Sequence, residues 1–345
     1  MSLFTPTSVR ELEQHIVSII VDDYARLSQD TWWQLVAKVR QTKTKKELIA
    51  WLIQTAVISD VGQGGNLSYA DQAAVMTEME TRHAGAGLKL LRAQLEDVYN
   101  GEPGGEGVEA ADNWARGIAA YMAYWPQKKT AEFLKLAHLS ASSGGFTSYD
   151  NVPFFSTSHL VNPKDAGMGT FSNLFTSVPL DTGVTMDVAA NNLATVWANI
   201  KSIKMPNGEN DPRKLKPKGI LVPPKMFPRV KQLVSADYIA QAAASGGGSA
   251  DFRAYISSLG FAQPICADEL SGFEGDTTYF VVAEQAANDA LGGVVYLERE
   301  AFRMTQYGEM NSAELGRMKA LEWQVNGRNA IAPGHPFLLF KCKAA

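Results

Sequence analysis

The stretch VEAADNWARGIAAYMAYW, residues 108–125, carries the most regular signal in the chain. Val108, Ala111, Ala115, Ile118, Met122 and Trp125 recur at spacings of 3, 4, 3, 4 and 3. One face of an α-helix repeats every 3.6 residues, so this spacing predicts a long helix with a single apolar face. Phe133, Leu134, Leu136 and Ala137 continue the face, and Ser140 to Gly145 ends it. Pro126 is expected to kink the helix or to restart it as a first-turn residue. Gly101 to Gly107, with Pro103, reads as a flexible lead-in. A face of this kind packs against a core; it is not a cofactor box.

Upstream, Thr7 or Ser8 is expected to cap a helix from Val9 toward Leu27. Its stripe of Leu12, Ile16, Ile19 and Ile20 needs a cover. Trp32 and Trp33 follow, then Lys38, Arg40, Lys43, Lys45 and Lys46 with no acid before Glu47. These cations read first as a solvated boundary, and alternatively as an arm lying on an acidic neighbour. Residues 47–92 hold short apolar pieces around Gly62, Gly64 and Gly65, then Arg82-His83-Ala84-Gly85-Ala86-Gly87. Glycines at this density mark bends. Segments 1–40 and 47–92 are therefore expected to bury their apolar residues only against other subunits.

Downstream, residues 146–185 read as loop, anchored by Phe154 and Phe155. A helix is expected from about Asp187 to Ile200, a buried strand at Ile220 to Val222, and a helix from Lys225 to Val234. Asn207-Gly208 reads as a turn and Ser245 to Ser249 as a flexible break. Tyr279 to Val282 and Val294 to Leu297 read as buried strands. In the tail, Leu321, Trp323 and Val325 alternate with Glu322, Gln324 and Asn326. Asn326-Gly327 then predicts a tight turn, with Phe337 to Phe340 as the returning strand.

The composition narrows the function. A chain of 345 residues suggests about two domains at ~150 residues each. Thirty-two basic against 36 acidic residues, net −4, argues against sequence-independent nucleic-acid binding by the whole surface. No apolar run approaches the roughly 20 residues of a membrane span, and no secretory signal opens the chain. Two cysteines, Cys266 and Cys342, form neither a disulfide framework nor a zinc spacing; they read as small buried side chains in a reducing cytoplasm.

Catalytic signatures are absent: there is no GxxxxGK[ST], HExxH or GxSxG. The five histidines lack metal-ligand spacing, so no metal or cofactor site is expected. Ser156-Thr157-Ser158-His159, with Asp150 upstream, is the nearest approach to a nucleophile–base cluster. A satisfied loop histidine is the reading preferred over a hydrolase, and no catalytic residue is assigned. Lys201, Lys204, Arg213, Lys214, Lys216 and Lys218 read as a solvated loop, with a subunit-contact loop as the alternative.

The order of these elements resembles the Mu-like phage major head subunit family, tailed-phage major capsid proteins of the HK97-type fold. The resemblance runs from about residue 30 to the end. It rests on Trp51-Leu52-Ile53 through Leu95-Glu96-Asp97, on residues 108–136, and on Phe154-Phe155-Ser156-Thr157-Ser158-His159, where Leu160 replaces the family's usual proline. Lys216 to Pro224 and Glu322-Trp323 to Arg328 complete it. Their order and spacing are more specific than any one motif.

The resemblance implies an α+β subunit with an N-terminal arm at 1–45 and an extended E-loop at 46–92. A P-domain would span 93–185 with its spine helix, an A-domain 186–293, and 294–345 would return to the P-domain, with the last strand free to cross back. It implies hexamers and pentamers closing into an icosahedral shell around double-stranded DNA, which is enclosed without specific binding. The implied location is the virion, after assembly in the bacterial cytoplasm. Subunit contacts would fall on Trp32, Trp33, Trp51, Gly62, Gly64, Gly65, Leu67 and Tyr69. Only about 45 residues precede the loop, so a separate scaffold protein is expected, besides a portal and decoration proteins. An encapsulin-like compartment of the same fold is the alternative. No Lys–Asn cross-link is assigned.

Overall fold

A computed structural model describes residues 6–53, 73–91, 106–206, 212–235, 259–261, 264–285, 292–307 and 320–344. In chain order the elements begin with helix α1 (Pro6–Leu27), the short helix α2 (Trp33–Val36) and strand β1 (Ala37–Gln41). Strands β2 (Lys46–Ile53), β3 (Ala73–Glu80) and β4 (Arg82–Leu91) precede the long helix α3 (Glu106–Leu136). Short strands β5 (His159–Leu160), β6 (Thr170–Phe171) and β7 (Leu174–Phe175) lead to α4 (Met186–Lys201), β8 (Lys216–Val222) and α5 (Phe227–Ser235). Then follow β9 (Ile265–Cys266), β10 (Tyr279–Glu284), β11 (Val294–Tyr307), β12 (Ala320–Pro333) and β13 (Leu339–Cys342).

Two sheets organise the chain. One has four strands in the order β1-β11-β12-β4, and the other five in the order β7-β13-β10-β8-β9. β10 explains why a run such as Tyr279-Phe280-Val281-Val282 carries no polar residue. Tyr279, Val281 and Ala283 join the cluster under α4 and α5. Phe280 and Val282 face the opposite way, toward the end of α3. A strand buried on both faces loses the polar alternation of a half-exposed one.

Four positions of the periodic face of α3 are buried, while Trp125 is half-buried and Leu136 exposed. Ala111, Ala115, Ile118 and Met122 sit in one cluster with Leu321, Trp323 and Val325 of β12. The helix runs through Pro126 without restarting. Thr130 Oγ1, wholly buried, donates to the Pro126 carbonyl at 2.8 Å.

The arm departs from expectation. Leu12, Ile16 and Ile20 of α1 are buried in that same cluster, so the subunit's own α3 covers the stripe. His15 Nε2 also meets Asp112 Oδ1 at 3.0 Å. Thr7 and Ser8 lie inside α1 rather than at its cap. Residues 82–91, expected in the extended loop, pair with β12 from Arg82↔Asn329 to Leu91↔Ala320.

The tail departs too. Asn326-Gly327 is not a turn; both residues lie mid-strand, Asn326 opposite Arg303 on one side and Gly85 on the other. Glycine is needed at 327 because the Phe302 ring passes 2.9 Å from where a β-carbon would stand. β13 does not return along β12. The chain crosses at Gly334, where a β-carbon would meet the Gly292 carbonyl at 2.5 Å, and β13 pairs with β10. The Asn207-Gly208 turn and the Ser245 to Ser249 break lie outside the described residues.

Candidate assembly surfaces

β2 and β3 form a hairpin of eight residue pairs, from Lys46↔Glu80 to Ile53↔Ala73. Among the described residues they pair with no other strand. A lone two-stranded sheet is marginal in water and needs support from outside itself.

The base of this hairpin is fixed by polar side chains. Glu47 accepts from Thr42 Oγ1 at 2.6 Å, Thr44 Oγ1 at 3.2 Å and Arg40 Nη2 at 3.0 Å. The Thr42 hydroxyl is the main reason its carboxyl lies below the ordinary range, with Thr44 and Arg40 adding to it. Lys45 pairs with Glu80 at 2.7 Å, and Lys46 pairs with Glu78. Two of the cations read as a boundary or an arm on an acidic neighbour are thus engaged within their own hairpin. Exposed pairs of this kind add little stability, so they set direction more than strength. Their pairing could not be read from sequence, since more than 30 residues separate Lys45 from Glu80.

A groove of about 480 Å³ lies between the hairpin base and α3. Met79, Arg82 and His83 form one wall, Trp125 and Lys129 the other, over Ile331. Trp125 is held by its Nε1 donating to Asn329 Oδ1 at 2.8 Å and by an edge contact with Phe302.

The contact residues expected from sequence fare unevenly. Trp32 and Trp33 are buried inside their own subunit, in the cluster of Phe133, Phe154 and Phe280, so their indoles are not offered to a neighbour. Trp51 lies on β2, and Val108 on α3. Gly62, Gly64, Gly65, Leu67 and Tyr69 lie outside the described residues. On α1, Val17, Val21 and Tyr24 form a second apolar ridge that is exposed.

The Ser-Thr-Ser-His cluster is spent on structure. His159 is fully buried, with Nδ1 2.9 Å from Asp150 Oδ2 and Nε2 2.9 Å from the Phe154 carbonyl. Both ring nitrogens face oxygen acceptors other than a serine hydroxyl, which is not the geometry that activates a nucleophile. Asn173 Nδ2 donates to the same Phe154 carbonyl at 2.7 Å, and Asn173 Oδ1 accepts from Ser156 N at 2.9 Å. Arg213, read as part of a solvated loop, is buried too. Its guanidinium lies 3.9 Å from the Phe337 ring centre, and Nε donates to the Lys204 carbonyl. Burial lowers its pKa to about 10. Among the described residues no helix is long and apolar enough to cross a membrane, and no three metal-binding side chains cluster.

Comparison with solved structures finds phage capsids. A capsid structure of the cyanophage P-SCSP1u aligns over 91% of this chain and 88% of its own, at 12% identity and a TM-score of 0.54. The procapsid of bacteriophage JBD30 aligns over 99% of this chain and 76% of its own, at 15% identity and a TM-score of 0.50. The chain has the fold of these HK97-like capsid subunits. No family model and no curated protein matches it.

Proposed function

We propose that the chain is the major capsid protein of a tailed bacteriophage, of the Mu-like head subunit type. Copies would assemble as hexamers and pentamers into an icosahedral shell around double-stranded DNA. The observation that carries this reading is the β2–β3 hairpin. It is long, polar at its base and without a partner sheet among the described residues, on a chain with a capsid-subunit fold. Burial against a neighbour would supply the support that it lacks.

On this reading the hairpin with residues 54–72 is the E-loop, and α1 with α2 the arm. The four-stranded sheet with α3 is the P-domain, and the five-stranded sheet with α4 and α5 the A-domain. The groove beside Trp125 would receive part of an adjacent subunit. A separate scaffold and a portal would complete the head, located in the virion. The near-neutral, slightly acidic chain suits a container that does not grip its DNA.

Electron microscopy of the purified protein tests this. Closed shells or capsomers are expected. A monodisperse monomer at every concentration and salt would overturn it.

A further inference from the structure

The turn between β9 and β10 carries unusual backbone geometry. Gly272, Glu274, Gly275 and Asp276 all have positive φ, at 73°, 46°, 70° and 62°. For Glu274 and Asp276 this region is disfavoured by the β-carbon, so the surroundings must hold them there.

What holds Glu274 is a side-chain cluster, and Asp276 Oδ1 accepts from Gly272 N at 2.6 Å. Lys341 of β13 is 1% exposed, and its Nζ donates to Glu274 Oε1 at 2.6 Å. Thr278 Oγ1 donates to the other carboxylate oxygen. The Phe273 ring lies 4.9 Å from the Lys341 ammonium. His138, just past the end of α3, brings Nε2 to 3.8 Å from Glu274 Oε1. The cluster joins the end of α3, the turn and β13.

We propose that His138, Glu274 and Lys341 form an acid-released latch that holds the 272–276 turn against the end of the long helix. The charged and polar groups facing His138 are Lys341 and Lys343 from the chain's end, Glu274 from the turn and the Lys135 carbonyl from its own helix. Burial is the main reason that His138 lies below the ordinary histidine pKa, and Lys341 adds to it. Burial alone would raise Glu274, but hydrogen bonds from Lys341 and Thr278 outweigh it and hold the carboxyl low.

Both shifts have the same sign for stability. Each group binds protons more readily once the cluster is open, so the latch is complete near neutrality and weakens as pH falls. Protonating His138 places a second cation beside buried Lys341. Protonating Glu274 leaves that ammonium without its anion.

Hydrogen exchange of the full-length protein, as subunits and as any particles formed, tests the latch. Protection of amides 272–278, corrected for intrinsic rates, should be lost progressively as pH falls from about 7.5 to 4. His138→Gln should move that loss to lower pH. Glu274→Gln should leave the turn unprotected at every pH. If that variant does not fold, the triple change His138→Gln, Glu274→Gln and Lys341→Met removes every titrating member of the cluster and should give a pH-independent profile. A flat wild-type profile, a His138→Gln profile superposing on wild type, or a triple variant that keeps the wild-type pH dependence would overturn the proposal.

Discussion

Trp32 Nε1 donates to Glu269 Oε2 at 3.0 Å, joining residues 237 positions apart in sequence. Gln127 closes the arrangement: its Oε1 accepts from Trp32 N at 3.0 Å, and its Nε2 donates to Glu269 Oε1 at 2.6 Å. The end of the arm, the middle of α3 and the segment before β10 are thus tied at one carboxylate. Trp32, Trp33, Val36 and Ala37 are part of the subunit core.

Trp32→Ala with Trp33→Ala should therefore destabilise the unassembled subunit itself. Large aromatic truncations in a core cost about 3–5 kcal/mol each. Denaturant unfolding of the subunit measures this. Unchanged subunit stability with weakened particles would return the tryptophans to a contact role.

Deleting Val61 to Ser68 should do the reverse. These residues lie outside the described part of the chain, between the two strands of the hairpin. The subunit should keep its circular dichroism and melting temperature while particle yield collapses. Wild-type particle yield would contradict the loop's assembly role.

Glu47→Gln should loosen the hairpin base. The wild-type carboxylate gathers Thr42, Thr44 and Arg40, and its pKa is lowered, so its contribution is complete above the ordinary carboxylate pKa of about 4.5. That contribution is lost as pH falls through the lowered value. Limited proteolysis within residues 46–80 should be faster in the variant at neutral pH, and the difference should vanish in acid. Equal rates at neutral pH would remove Glu47 from this role.

Gly327→Ala should cost about 1–3 kcal/mol, because the new methyl group overlaps the Phe302 ring. Adding Phe302→Leu should recover part of the loss. Thermal unfolding of both variants checks the sign; a destabilisation that the second change leaves untouched would place the strain elsewhere.

Asp150→Asn should lower stability by about 1–3 kcal/mol, because the buried carboxylate's bonds to His159 Nδ1 and Leu160 N are weakened. The test is chemical denaturation near neutral pH. A change below about 1 kcal/mol would remove Asp150 from this structural role.

The long helix was legible from Val108 to Trp125 because its 3.6-residue period records which face is buried. The strands at 220, 279 and 294 were legible for a related reason: short apolar runs mark strands covered on both sides. The candidate surfaces were less legible. The Lys45–Glu80 and Lys46–Glu78 pairs depend on hairpin register, which no local pattern states. Arg213 read as a loop residue because its partner, Phe337, is identified only by folding, and folding alone supplied the second acceptor of His159, the Phe154 carbonyl.

The sequence by itself determined the elements and their inward faces, since periodicity is a local property of the chain. Only the tertiary structure decided what covers each face. The stripe of Leu12, Ile16 and Ile20 looked unpartnered but lies on the subunit's own α3. Asn326-Gly327 looked like a turn, yet strands on both sides hydrogen-bond through it, outweighing its local preference. β13 crosses to the other sheet, as the resemblance left open, and there Phe340 and Cys342 are wholly buried. In each case the deciding energy comes from a contact distant in sequence, and a pattern of spacing cannot name the partner.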